Sequence, residues 1–539
     1  MVLPRTLVAA ACLLAALPSV FAEETAPRIV NIVNFIRGVE PREPMDLVTP
    51  VVEQIKLAKK HGLPSTFLVQ YDAMIKPEFA DLLKKELGPE DEIGAWIEVV
   101  QPQVEAAGLK WRGRFPWDWH TDVGFTVGYT PEERLKLMDV YMEKFKEVFG
   151  KYPRSVGCWI IDAPTLNYLA DKYGITVATI CKDQSGTDGY TLWGGYWNQA
   201  FYPSRKNAFM PAQTAGEQLN VPVFRMLGSD PVTQYDTGIG HDRQGVYSLE
   251  PVYKDSGGDP KWVRWFFKTN FTEPSLAFAY AQAGQENSFG WPAMKDGLID
   301  QYALLEEWQK AGKVRVETLE ESGKWFRKKF DKTPATAIVA MDDAADSGKR
   351  SIWYESRFYR VNLFWDEDAW RVRDIHMFDE NYAERYLTER VTTSDAFYDT
   401  LPVMDGYNWS TAENLAGIRL VDSAGKPIAG GEPKVTQGED SLTIAVPLVD
   451  GGEMTIFCGP EGMKFSMSGE KAPNDWALQI GTSPEKKAGI TGISSDAIRY
   501  RHNGFDYAVR CEEGTASQSD EKVLISPKGG MIALGLKAR

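Results

Sequence analysis

The sequence predicts an α/β protein: a (β/α)7-like parallel barrel over residues 23–330, then an antiparallel β-sandwich over 331–539. Three observations point there. Strand and helix signals alternate through the first 300 or so residues, which is the grammar of parallel βαβ units. After Trp308 the grammar changes to short alternating runs separated by Gly, Asp, Asn and Pro, which suits antiparallel sheets. The chain has 539 residues, 43% apolar and 25% charged, so it is ordinary globular material too long for one core.

The barrel elements follow in order. Strand-like runs lie at 29–36, 65–70, 92–100, 155–161, 175–181, 221–227 and 276–281. Helical spacing fills 50–61, stopped by Gly62, and 76–87, stopped by Gly88. The helix at 130–149 opens with Thr130-Pro131-Glu132-Glu133, a cap, a first-turn proline and first-turn acids. The helix at 163–173 runs to Gly174. Seven strands suit a barrel better than an open sheet, and no eighth is evident. An amphipathic helix at 314–330 closes this half.

The second half carries strand-like runs at 337–341, 356–363, 417–420, 441–448, 453–457, 506–510 and 522–525. Residues 377–400 read as a helical insert. At the N-terminus, Arg5, the apolar run 7–17, Pro18 and Val20-Phe21-Ala22 read as a signal peptide over 1–22, and hence a soluble secreted or periplasmic protein. No later segment approaches 18 apolar residues, so membrane insertion is not expected. The formal charge of −15 disfavours nucleic acid as a partner. Cys158 and Cys181 read as buried thiols, and Cys458 could bridge to Cys511 or stay free.

Working residues of a parallel barrel sit where strands end. The residues there are Arg37, then Tyr71-Asp72, then Trp96-Ile97-Glu98, then Trp159 to Asp162, then Lys182-Asp183, then Ser229-Asp230, then Gln285-Glu286-Asn287 with Trp291 beyond. An unpaired buried carboxylate is costly, so each acid needs a reason to sit there. Asp162, before Ala163-Pro164, is equally a helix N-cap, and Asp230, before Pro231, equally a turn residue. Glu98 starts no helix, and Glu286 sits among amides between Gly284 and Gly290, so both point to function. Paired carboxylates are what glycosidic hydrolysis needs. Of the 17 tryptophans, Trp96, Trp111, Trp117, Trp119, Trp159, Trp193, Trp197 and Trp291 fall in or near the loop face, and Trp193-Gly194-Gly195-Tyr196-Trp197 is the best sugar platform. His120 and His241 form no metal-binding pair of known spacing, and Gly-x-Ser-x-Gly, dinucleotide and Walker signatures are absent.

Asp91-Glu92-Ile93-Gly94-Ala95-Trp96-Ile97-Glu98 resembles the E-I-G-x-H strand of polysaccharide deacetylase-like barrels. Tyr152-Pro153-Arg154-Ser155 through Asp162, then Leu166-Asn167-Tyr168-Leu169 and Tyr173-Gly174-Ile175, resembles their later segment. Over roughly residues 28–310 the chain resembles the glycoside hydrolase/deacetylase (β/α)7-barrel superfamily, which includes exported bacterial proteins with a β-domain behind the barrel. Deacetylases of that superfamily use an Asp and two His on a metal. Here the first strand, Asn31 to Arg37, has no Asp pair, and the His positions fall around Ala95 to Trp96 and Val99 to Val100. The resemblance therefore implies the acidic residues of the glycosidase branches: Glu98, Asp162 and Glu286 as catalytic candidates, with no metal and no cofactor.

The expectation is an exported glycoside hydrolase acting on an oligo- or polysaccharide. Arg37, Asp72, Trp96, Trp119, His120, Asp183, Trp193, Tyr196, Asp230, Gln285, Asn287 and Trp291 would hold substrate. The alternatives are a non-catalytic glycan-binding protein on a degenerate barrel and a metal-dependent deacetylase. Trp353, Arg357, Arg360, Trp365 and Asp374 read as domain-interface residues.

Overall fold

A computed structural model describes residues 26–187, 189–486, 488–519 and 522–538. The segment read as a signal peptide lies outside the described residues. Among those described, no helix is long and apolar enough to cross a membrane.

Seven parallel strands build the first half: β1 (Arg28–Ile36), β2 (Thr66–Val69), β3 (Glu92–Trp96), β4 (Ser155–Gly157), β5 (Val177–Ile180), β6 (Val223–Arg225) and β7 (Ala279–Ala283). Their spatial order is β7-β1-β2-β3-β4-β5-β6. Each coincides with one of the seven expected runs. They are buried along their whole length or nearly so, as strands covered on both faces must be. β3 is shorter than the run that announced it. Beyond Trp96 the chain leaves the sheet, with the Val99 N–H donating to the Gly124 carbonyl instead.

β6 and β7 do not pair with each other. Their seam is closed by side chains: the Leu227 N–H donates to Gln282 Oε1 at 2.8 Å, and Phe224 meets Tyr280 edge-on at 4.9 Å. Ala200–Phe201 adds an antiparallel edge beside β6. This is how seven strands suffice without an eighth.

The longer helices are α1 (Val48–His61), α2 (Pro77–Glu86), α3 (Pro131–Phe149), α4 (Ala163–Tyr173), α5 (Pro260–Thr272), α6 (Trp291–Lys310) and α7 (Leu319–Lys329). α3 starts with a full capping box between Thr130 and Glu133. α4 starts at Asp162, whose carboxylate accepts from the Thr165 N–H at 2.9 Å, and ends at Gly174 with φ of 70°.

The second half is a sandwich of two antiparallel sheets. One holds β8 (Thr336–Ala340), β9 (Lys349–Glu355), β10 (Tyr359–Asp366), β11 (Ala369–Met377) and, further along, Gly417–Asp422 and Trp476–Gly481. The other includes Leu442–Pro447, Glu453–Gly459 and Phe505–Glu513. Ile352, Val361 and Leu363 of the first pack with Leu442, Ile444 and Ile456 of the second in one core. Cys458 and Cys511 are buried free thiols.

β9 and β10 are buried on both faces because the barrel covers the other side. Trp353 stacks on Trp197 at 4.0 Å and 9°. Arg360 joins Asp183 at 2.5 Å to Asp374 at 2.8 Å. Trp353 and Arg360 are interface residues, as the sequence suggests. Trp365 lies instead in the sandwich core, stacked on Trp370 at 6.0 Å.

The expected helical insert is not a helix. Between β11 and Leu401 the chain forms a three-residue 3-10 turn, Arg385–Leu387, and a strand, Ala396–Asp399. That strand pairs in parallel with Tyr190–Trp193, so the open edge of a barrel loop supplies the backbone partners a helix would have supplied itself. Phe378, Tyr386, Val391 and Tyr398 join the barrel core.

Candidate active site at the barrel mouth

Arg37 leaves the end of β1 and is the centre of the site. Its backbone is clamped by Asn287, which accepts from the Arg37 N–H and donates to the Arg37 carbonyl, both at 2.9 Å. Its guanidinium forks onto Glu98, two residues beyond β3: Nε to Oε2 at 3.0 Å and Nη2 to Oε1 at 2.9 Å. Glu98 Oε2 also accepts from Trp96 Nε1 at 2.8 Å and Gln70 Nε2 at 3.2 Å. The third nitrogen, Arg37 Nη1, reaches Glu286 and Ser288 Oγ at 3.2 Å each, and Ser288 donates to Glu286 Oε1 at 2.7 Å. Trp117 lies under the guanidinium, with Cζ 4.1 Å from the ring centre.

One cation thus serves two carboxylates, and all three side chains are at most 5% exposed. Burial pushes the Glu286 carboxyl up to about 7; Arg37 opposes the rise and Glu98 adds to it. A carboxylic acid at this value holds or gives up its proton near neutral pH.

These groups face a cavity of about 430 Å³, within the usual range for small-molecule sites. Trp117, Trp119 and Phe289 form part of its wall. Trp119 stacks on Phe115 at 5.9 Å and 15°, and Arg114 covers it at 4.6 Å. A larger recess of about 870 Å³ lies on the sandwich, but among its described lining residues there is no aromatic ring and one carboxylate, Glu413.

Of the expected site residues, the structure brings Arg37, Glu98, Glu286 and Trp119 to this cavity. Trp96 and Asn287 stand directly behind Glu98 and Arg37. Gln285 lies behind Glu286, accepting from its N–H at 2.8 Å.

The others are elsewhere, each for a local reason. Asp162 caps α4, pairs with the buried Arg134 at 3.1 Å and accepts from Thr126 and Thr165, so its carboxylate is used up inside the fold. Asp183 lies between Arg225 and Arg360 at the sandwich junction. Asp230 is the turn residue, accepting from Val232, Thr233 and Trp262. Asp72 holds the Gly38 and Ala73 N–H groups, and burial raises its carboxyl to about 6. Trp193 donates to Asp405 and Tyr196 to the Pro334 carbonyl; both are core, not platform. Trp291 opens α6 and packs on its apolar face, and His120 stands edge-on behind Trp119.

Trp117 was expected at the loop face and lines the cavity, whereas Glu250 and Gln70 were not anticipated. Glu250 lines the cavity from the long segment after β6. Its signal, an acid before Pro251, is too common to single out.

The donor set does not fit a metal ion. Among the described residues no three His, Cys, Asp or Glu side chains converge on one point. His61 is held by Glu306, His376 by Asp374 and His502 by Asp399, well apart in the chain and in the fold. The cations at the barrel mouth are the guanidinium groups of Arg37, Arg42 and Arg243.

No protein-family model matches the chain, and no curated protein matches it either. Solved structures do. A candidate glycoside hydrolase/deacetylase from Parabacteroides distasonis aligns with a TM-score of 0.50 at 18% identity, over 72% of this chain and 91% of that one. Candidate polysaccharide deacetylases from Mycobacterium smegmatis and Pseudomonas aeruginosa align with TM-scores of 0.34 at 12% and 13% identity, over 57% and 56% of this chain and 92% of each of theirs. The first of these likenesses shows the fold alone: this chain shares a parallel α/β barrel with that structure, and a β-sandwich follows it here.

Proposed function

We propose that the chain is an exported carbohydrate-active hydrolase that cleaves glycosidic bonds at the barrel mouth, with Glu286 as the proton donor. The observation that carries this is the buried Glu286 carboxyl at about 7, facing a tryptophan-walled cavity. Tryptophan faces suit the C–H faces of sugars, and a carboxyl protonated near neutral pH suits a departing glycosidic oxygen. The barrel shared with a candidate glycoside hydrolase/deacetylase and the signal-peptide-like leader support the same reading.

In this reading Arg37 and Glu98 are positioning residues. Arg37 fixes the Glu286 carboxyl and keeps its proton transferable, since without the cation burial alone would drive the value higher. Glu98 fixes Arg37 through the two-pronged pair. Trp117 and Trp119 hold sugar rings.

The test is a glycan panel read by reducing-end release, with Glu286→Gln as control and parallel arms with acetylated glycans and with a chelator. The expected result is chelator-insensitive cleavage of at least one glycan, lost in the variant. Acetate release abolished by the chelator would replace this reading with deacetylation. Binding of a glycan without cleavage by the wild type would replace it with a glycan-binding protein.

A further inference from the structure

We propose that Glu250 is the second catalytic carboxylate, the general base that works with Glu286; this rests on the glycosidase reading. Three carboxylates line the cavity: Glu98, Glu250 and Glu286. A carboxylate has about four lone-pair sites. Glu98 receives four donor contacts, three on Oε2 from Arg37 Nε, Trp96 and Gln70 and one on Oε1 from Arg37 Nη2, so both of its oxygens are held by the protein. It is built to hold Arg37, not to meet a water or an anomeric carbon.

Glu250 stands on the other flank of Glu286. Around the barrel the order is β6, β7, β1; Arg37 and Glu98 approach Glu286 from the β1 side, and Glu250 comes from the segment after β6. A single amide joins the two acids: Gln285 accepts from the Glu286 N–H at 2.8 Å and reaches Glu250 Oε1 from Nε2 at 3.4 Å. Gln54 donates to the Gln285 carbonyl at 2.8 Å and steadies that backbone.

The loop that carries Glu250 is fixed. The Leu249 N–H donates to the Leu227 carbonyl at 2.9 Å, and Ser229 pairs with Ser248, so the loop is tied to the end of β6. Gln301 donates to the Leu249 and Gly257 carbonyls from α6 at 2.8 and 2.7 Å. Ser248 Oγ donates to Glu250 Oε2 at 2.7 Å. A buried lysine, Lys182, lies beyond β5 with no hydrogen-bond partner for Nζ among the described residues. Burial lowers its pKa, with Cys181 and then Glu250 acting the other way. An orphaned ammonium inside the barrel is costly unless a carboxylate of this kind is near.

In the reaction, a water oxygen bonds to the anomeric carbon while Glu250 takes one of its protons. The bond from that carbon to the leaving oxygen breaks, and the oxygen takes the Glu286 proton. One water is consumed, and solvent returns a proton from Glu250 to Glu286.

The experiment uses the full-length protein and the 4-nitrophenyl glycoside of whichever sugar the wild type releases from the panel. Glu250→Gln and Glu250→Asp are expected to lose between about 100- and 10,000-fold in kcat, with wild-type thermal midpoints. Sodium azide added to Glu250→Ala is expected to restore turnover and yield the glycosyl azide, which a structural role would not do. A wild type active on the panel, with a folded Glu250→Gln within about threefold of it and no azide product, would overturn this assignment and leave the glycosidase reading standing. A wild type inactive on every glycan would overturn the reading itself.

Discussion

The guanidinium of Arg37 lies 3.2 Å from Glu286 and, by its other edge, 2.9 Å from Glu98. One guanidinium is therefore buried between two carboxyl groups. Desolvating such a group is expensive, and it persists only because its geometry is complete. Removing the cation takes the charge partner away from both carboxyl groups. Arg37→Met is expected to lose about 3–5 kcal/mol of stability. Adding Glu98→Gln to that variant removes one of the stranded carboxyl groups and is expected to recover part of the loss. Denaturant unfolding of the two single variants and the double checks this; purely additive losses would contradict the coupling.

Glu286 also ties stability to pH. Its folded value of about 7 lies above the ordinary 4.5, so the folded state holds a proton that the unfolded state releases. The resulting stabilisation is complete below about pH 4.5 and is lost as pH rises through about 7. It amounts to a few kcal/mol at about 1.4 kcal/mol per pH unit. Glu286→Gln is expected to flatten the decline across that window. Urea unfolding of both proteins at half-unit steps reads it, and parallel curves would refute it.

Asp162 separates scaffold from chemistry. It pairs with Arg134 and caps α4, with neither side chain exposed. Asp162→Asn keeps the cap oxygen but leaves Arg134 short of a charge, so a loss of about 3 kcal/mol or more is expected. kcat/KM of the folded variant is expected to stay within a few-fold of wild type. A specific loss of kcat in a protein of unchanged stability would contradict this placement.

The strands of the barrel were legible because parallel strands buried on both faces announce themselves as apolar runs. Arg37, Glu98 and Glu286 were legible because a charge at the end of such a run is costly to bury and so marks a group held there for a purpose. Asp162 reads in sequence as a site acid or a helix cap and Asp183 as a site acid, yet Arg134 for the first and Arg360, far along the chain, for the second decide that they are structural. The Trp193 to Trp197 stretch reads as an open platform only if nothing covers it, and Trp353 and Tyr407 of the sandwich do. Glu250 was hidden because no strand leads into it. The 377–400 segment misled because its apolar residues serve the barrel core across an extended path, with backbone partners supplied by Tyr190–Trp193.

Trp119 carries substrate in this scheme without touching the proton. Its ring is partly open to the cavity and backed by Phe115. Trp119→Ala is expected to raise KM by about tenfold, in keeping with the 0.5–1.5 kcal/mol an aromatic contact adds beyond its area. kcat is expected to change by less than threefold. Initial rates against substrate concentration separate the two, and an unchanged KM would remove Trp119 from the sugar path.

The most direct test is the pH dependence of kcat/KM on the best natural glycan for wild type and Glu286→Gln. The expected wild-type profile falls on the alkaline side with a midpoint near 7, because Glu286 must carry its proton. The variant is expected to show no such limb and a rate lower by about 100-fold or more. An alkaline limb near 7 that survives Glu286→Gln would show that another group donates the proton.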